Sequence, residues 1–215
     1  MDILSYKLGK NSSGGGGGDL DWSAIGFTGT PQSIIKGYNY AKQIQNTWTT
    51  SSSLNRKFYM NYEIVFFPTV DTSSTTDFNE MFYYCFALTD VAPIDTSSAT
   101  TCYGMFNGCR GLKSVPQLDL SNCTNIGSMF YNCKSLESVP VFNWSKVKTY
   151  STPFSECDSL SDESLNNIMA SCISATSISS GKNLLSLGIS KAQATRCQSL
   201  SNYQAFLNAG WTTGY

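Results

Sequence analysis

Hydrophobic positions along this chain return in blocks of fixed length. Met81-Phe82, Met105-Phe106, Met129-Phe130 and Pro153-Phe154 begin matching positions, each 24 residues after the last. Cys85, Cys109, Cys133 and Cys157 keep the same step, as do Leu88, Leu112, Leu136 and Leu160. The polar positions share it: Asp71, Asp95, Asp119 and Asn143 are each followed two places on by Ser73, Ser97, Ser121 or Ser145. The unit reads D-x-S-x-x-T-x-x-x-x-M-F-x-x-C-x-x-L-x-x-V-P. A degenerate copy comes first, with Phe58, Asn61 and Ile64 standing for Phe, Cys and Leu. A period of about 20 to 50 residues marks units that bury their apolar columns by stacking on one another, since one unit alone offers no second surface to pack against.

Within the unit, C-x-x-L-x-x-V-P predicts a short strand over 88–91, 112–115 and 136–139. Pro93, Pro116 and Pro140 end these strands because proline has no amide to give a ladder. D-x-S predicts a turn capped by its own carboxylate. A second extended piece, holding Phe78, Cys102, Ile126 or Tyr150, leads into Met-Phe and about one helical turn ending at Cys.

The flanks carry a different period. Thr30-Pro31 is a helix start, and Ile34, Tyr38, Ala41, Ile44 and Trp48 follow at steps of three and four as one apolar stripe. Ser161-Asp162-Glu163 starts another helix, with Leu165, Ile168, Met169 and Cys172 on its face. Residues 184–187 predict a last strand. Ser190 to Gln193 forms a capping box, and Cys197, Leu200, Tyr203 and Leu207 carry an apolar face to Gly210 and Trp211. The fold class is therefore an α/β repeat: a short solenoid of 24-residue units with a parallel β ladder and helical N- and C-terminal caps. Its parts are a glycine-rich arm (1–20), an N-terminal helical cap (21–57), the repeats (58–160) and a C-terminal helical cap (161–215).

Composition narrows the function. Only 13% of residues are charged, the net charge is −1, and no stretch of five or more like charges occurs, so neither nucleic acid nor an anionic membrane is an expected partner. Histidine is absent, which removes the commonest general base and zinc ligand. No enzyme activity, metal or cofactor is expected. The eight cysteines read as buried thiols rather than a disulfide framework, because four are repeat positions and no export signal is seen, and the spacing of 24 does not resemble paired metal knuckles. The opening residues lack a basic segment followed by an apolar one, so the chain is expected to fold in a cytosol.

The arm holds Leu4, Tyr6 and Leu8, then Gly14, Gly15, Gly16, Gly17 and Gly18. It reads either as a disordered tail or as an anchor on a flexible tether. Candidate binding residues lie between the repeat columns. Thr89, Asp90, Lys113 and Glu137 occupy strand positions, where Lys113 and Glu137 form either a cross-strand ion pair or part of a polar recognition stripe. Tyr83, Tyr84, Tyr131 and Trp144 neighbour inward positions and are candidate exposed aromatics. The aspartate column reads as turn caps rather than a calcium ladder, since no D-x-D-x-D-G loop occurs.

The repeat residues resemble the BspA-like leucine-rich-repeat family in its M-F-x-x-C-x-x-L-x-x-V-P variant, found in surface proteins of gut bacteria and in their bacteriophages. The ending from Asn202 to Thr212 is similar to the terminal element of such proteins, and Leu4 to Lys10 with the glycine run is similar to openings of gut-phage virion proteins. The resemblance implies a curved leucine-rich-repeat solenoid working in adhesion. It makes a non-enzymatic virion protein of tail-fibre, head-fibre or decoration type the first expectation, assembled in the host cytoplasm, with a bacterial cell-surface adhesin or interaction module as the alternative. Implied partners are other virion proteins, met through the arm, a host-surface glycan or protein, and further copies of the chain in a homo-oligomer.

Overall fold

The computed structural model describes residues 31–215, with side chains from Lys36 onward. Leu4, Tyr6, Leu8, Gly14 to Gly18, the Thr30 cap and the Ile34 side chain lie outside the described residues. The elements in chain order are α1 (Pro31–Thr47), β1 (Phe66–Phe67), β2 (Asp90–Val91), α2 (Asp162–Ser174), α3 (Lys191–Cys197) and α4 (Tyr203–Asn208).

Between α1 and α2, most of the order resides in hydrogen bonds from one 24-residue unit to the next. Alternate amides do different work. Those of Phe78, Glu80, Phe82 and Tyr84 donate across to the carbonyls of Thr101, Tyr103, Met105 and Asn107, at 2.7 to 3.0 Å. Those of Met81, Tyr83 and Cys85 donate back to Phe78, Glu80 and Phe82 in tight turns. The same pairing recurs from 54–60 to 77–83, from 102–108 to 125–131 and from 126–132 to 149–155. The path requires a positive φ at two positions per unit: Arg56 and Met60, Glu80 and Tyr84, Gly104 and Gly108, Ser128 and Asn132, Thr152 and Glu156. A side chain there costs roughly 1–3 kcal/mol, and only the unit with Gly104 and Gly108 avoids it.

What offsets that strain is the apolar interior. Phe58, Phe82, Phe106, Phe130 and Phe154 form a continuous ring stack, with centroids 5.4 to 5.6 Å apart and planes within 15°. Met81, Met105, Met129 and the leucine column are buried beside it. Each repeat cysteine donates its thiol to the phenylalanine carbonyl of the preceding unit, at 3.0 Å for Cys85 to Phe58 and 3.1 Å for Cys109 to Phe82. Asp71, Asp95, Asp119 and Asn143 accept the amide of the serine two places on, as turn caps do.

Parallel pairing occurs at both extended pieces of the unit. Parallel bridges run unbroken through Ser53, Asp77, Thr101, Asn125 and Thr149, in the piece ahead of Met-Phe. The C-x-x-L-x-x-V-P piece pairs as β1 with β2, where Phe66 faces Asp90 and Phe67 faces Val91, and again at Ser114 with Ser138. Proline two residues or fewer past these positions cuts the pairing short. Residues 184–187 are a turn instead of a strand. The Leu187 amide returns to Leu184, while Ser186 and Leu187 accept from Thr152 and Phe154.

Both ends of the stack are covered by helices. α1 buries Gly37, Ala41 and Ile44, with Tyr38 half-exposed. A Cβ on Gly37 would lie 2.9 Å from Val65, so glycine permits the close approach. Gln45 and the Trp48 indole donate to the carbonyls of Thr69 and Asp71. α2 covers the other end through hydroxyls: Ser164, Ser171 and Ser174 accept the amides of Val139, Phe142 and Trp144 at 2.8 to 3.0 Å. These serines do for the last unit what a further strand would do, which keeps buried amides paired.

Tyr84 lies across Gly108, where a Cβ would come within 2.0 Å of its ring. Gly108→Ala is expected to lower the melting temperature by several degrees, through the clash and the left-handed φ together. Adding Tyr84→Ala should recover the steric part and leave a deficit of about 1 kcal/mol. A double variant no more stable than Gly108→Ala would contradict this packing.

Candidate functional site

All eight cysteines are free and buried. Burial pushes the thiols of Cys85 and Cys157 up to about 12 and that of Cys197 up to about 11, the reverse of what an attacking thiolate needs. Among the described residues, no group of three or more His, Cys, Asp or Glu side chains is placed to hold a metal ion, and no helix is long and apolar enough to cross a membrane.

The surface feature that packing does not absorb is aromatic. Around the left-handed residues Arg56, Met60, Glu80 and Tyr84, aromatic side chains of the first two units lie against one another along one edge of the stack. Tyr59 stacks on Tyr83 at 4.9 Å and 2°, and Tyr62 stacks on Phe86 at 5.4 Å and 12°. Tyr84 joins the two pairs, with centroids 4.3 Å from Tyr83 and 5.4 Å from Phe86. Tyr62 is 54% exposed, Met60 42% and Phe86 39%, so this is surface rather than core. Guanidinium groups flank it: Arg56 lies 5.0 Å from the Tyr59 centroid and Arg110 5.0 Å from that of Phe86. Glu80 pairs with Arg56. Burial first, and then the Tyr84 hydroxyl, push the Tyr83 hydroxyl up to about 12.

Of the residues singled out from sequence, Tyr83 and Tyr84 belong to this patch. Tyr131 lies two units on, where its hydroxyl donates to Glu156 at 3.0 Å. Trp144 is a correction: it is 1% exposed, packed near Phe142 and Phe154 with α2 over its backbone, so it is interior. Lys113 and Glu137 are joined through the backbone, with the Glu137 amide donating to the Lys113 carbonyl at 2.9 Å, and no side-chain ion pair links them. Thr89 is likewise tied down, its amide and hydroxyl both donating to Val65. Asp90 sits in β2. Sequence reading missed Arg56, Tyr59, Tyr62, Phe86 and Arg110. The available signal was phase: Tyr59 and Tyr83, like Tyr62 and Phe86, fall at the same place in consecutive units.

A family model described as "Mycoplasma protein of unknown function, DUF285" matches residues 52–168, a little over half the chain. That span includes the ring stack and the aromatic edge. No curated protein and no solved structure matches the chain.

Thiol burial gives a pH signature. An unfolded thiol ionises near 9.0, and the folded values are higher. The stability from keeping these thiols neutral is therefore complete below pH 9 and is lost as pH rises toward 12. Denaturation measured across that range should show falling stability. A chromogenic thiol reagent should leave the native protein unlabelled at neutral pH and react with all eight cysteines after denaturation. Fast labelling of the native chain would contradict the buried column.

Proposed function

The chain belongs to the family described as Mycoplasma protein of unknown function, DUF285, and from that premise we propose that it is a short leucine-rich-repeat solenoid working as a non-enzymatic attachment module. The carrying observation is the exposed edge of Tyr59, Tyr62, Tyr83, Tyr84 and Phe86 between Arg56 and Arg110. Tyrosine, methionine and arginine are the residues enriched where proteins bind partners, and this edge collects them where the fold has no use for them. The family's relation to BspA-like repeat proteins supports an adhesive role.

The finer reading is a bacteriophage virion protein of fibre or decoration type. In it, residues 1–20 anchor the chain among other virion proteins, 21–57 and 161–215 cap the stack, and 58–160 face the host surface. Its support is the resemblance of the opening and of the repeats to gut-phage proteins. A bacterial cell-surface adhesin is the second reading, favoured by a family named for proteins of a bacterium.

Binding of the labelled chain to whole bacteria, followed by flow cytometry, tests the attachment module. Tyr62→Ser with Phe86→Ser should weaken binding at least about tenfold and leave the melting temperature within a few degrees, since both side chains are exposed. Unchanged binding would remove the aromatic edge from the account. Mass spectrometry of purified phage particles separates the two settings: presence of the chain at defined copy number supports the virion reading, and absence contradicts it.

A further inference from the structure

Resting on the attachment reading, we infer that the aromatic edge takes an acidic polypeptide segment rather than a carbohydrate. The ligand class follows from how the ring faces are used. A sugar platform needs open aromatic faces, over which the apolar face of a pyranose can lie. Here Tyr59 carries Tyr83 as a parallel neighbour at 4.9 Å and Arg56 at 5.0 Å. Phe86 likewise carries Tyr62 at 5.4 Å and Arg110 at 5.0 Å. With neighbours at their faces, Tyr59 and Phe86 turn mainly edges outward, and the broadly exposed Tyr62 is a single ring rather than a row of open faces.

Ring edges carry partial positive charge, and the phenol hydroxyls are donors. Arg110 brings a full charge and is paired with no acid among the described residues. The acid within the patch, Glu80, is already engaged by Arg56. Edges, hydroxyls and an uncompensated guanidinium make an electropositive, partly apolar surface. The complement is a chain segment that sets carboxylates beside aromatic or aliphatic side chains, with the carboxylate on Arg110 and the apolar groups against Tyr62 and Met60.

The test uses the full chain and defined probes. Fluorescence anisotropy would follow binding of a labelled random copolymer of glutamate and tyrosine, alongside a copolymer of lysine and tyrosine, chitohexaose and cellohexaose. The expected result is saturable binding of the acidic copolymer, about tenfold or more weaker in Arg110→Gln combined with Tyr62→Ser. Binding should be unchanged in Lys148→Gln, which changes an exposed residue on the threonine side of the stack, and should weaken as salt rises. Circular dichroism of each variant excludes unfolding as the cause. Failure of the acidic copolymer to bind, equal binding by the double variant, or preference for the basic copolymer overturns the inference. Patch-dependent binding of an oligosaccharide also overturns it while leaving the attachment module standing. That module falls separately, if the labelled chain itself fails to bind whole bacteria.

Discussion

Everything in this molecule depends on a backbone that spends alternate amides on the next unit and the rest on its own turns. That division works only if two residues per unit adopt left-handed conformations, and four of the five units place ordinary side chains there. At roughly 1–3 kcal/mol for each such residue, the path would be unaffordable for an isolated unit. Stacking supplies the compensation. Each buried phenylalanine adds about 2–3 kcal/mol of burial and about 0.5–1.5 kcal/mol of ring contact with its neighbours. The thiol column is consistent with this economy, since a cysteine is small enough to be fully buried in the core and still donate to a carbonyl 3.0 Å away in the preceding unit.

The same geometry decides where recognition is available. Phenylalanine, methionine, leucine and cysteine columns fill the interior, and aspartates hold their own turns. Threonine hydroxyls on the opposite edge donate to the carbonyls of neighbouring units, as Thr100 does to Thr76 and Thr124 to Thr100. What remains are the outward positions beside the left-handed residues. In the first two units those positions are aromatic, and they are the part of the surface most able to supply binding energy. Toward the far end they become Lys134, Glu156 and Asp158, with Lys134 and Glu156 3.8 Å apart, a looser and more polar edge.

Legibility followed periodicity. The period, the interior columns, the aspartate turns and the helix of the C-terminal cap could be read directly, because identical spacing and capping residues repeat or stand in sequence. The Ser190 capping box could be read for the same reason. Both pairing sites lie in or beside pieces that could be read as extended, but the alternating turns that follow could not be read, since they depend on left-handed residues as unlike as Glu80, Gly104 and Ser128. Trp144 read as a candidate exposed aromatic because it neighbours an inward position, yet it closes the stack beneath α2. The aromatic edge was half seen through Tyr83 and Tyr84. Its other members are not adjacent in sequence, and they come together only when consecutive units are laid one over the next.

Removal of one whole unit tests the stacking account most directly. Deleting residues 125–148 takes out 24 residues in register, so that 149–160 follows the preceding unit and the phenylalanine stack closes from Phe106 onto Phe154. Deleting 125–147 leaves the same composition but for Lys148 and shifts the register by one. Thermal denaturation followed by circular dichroism should give a cooperative transition for the in-register deletion and none for the other. Equal behaviour of the two deletions would contradict the claim that a 24-residue stacking register holds this protein together.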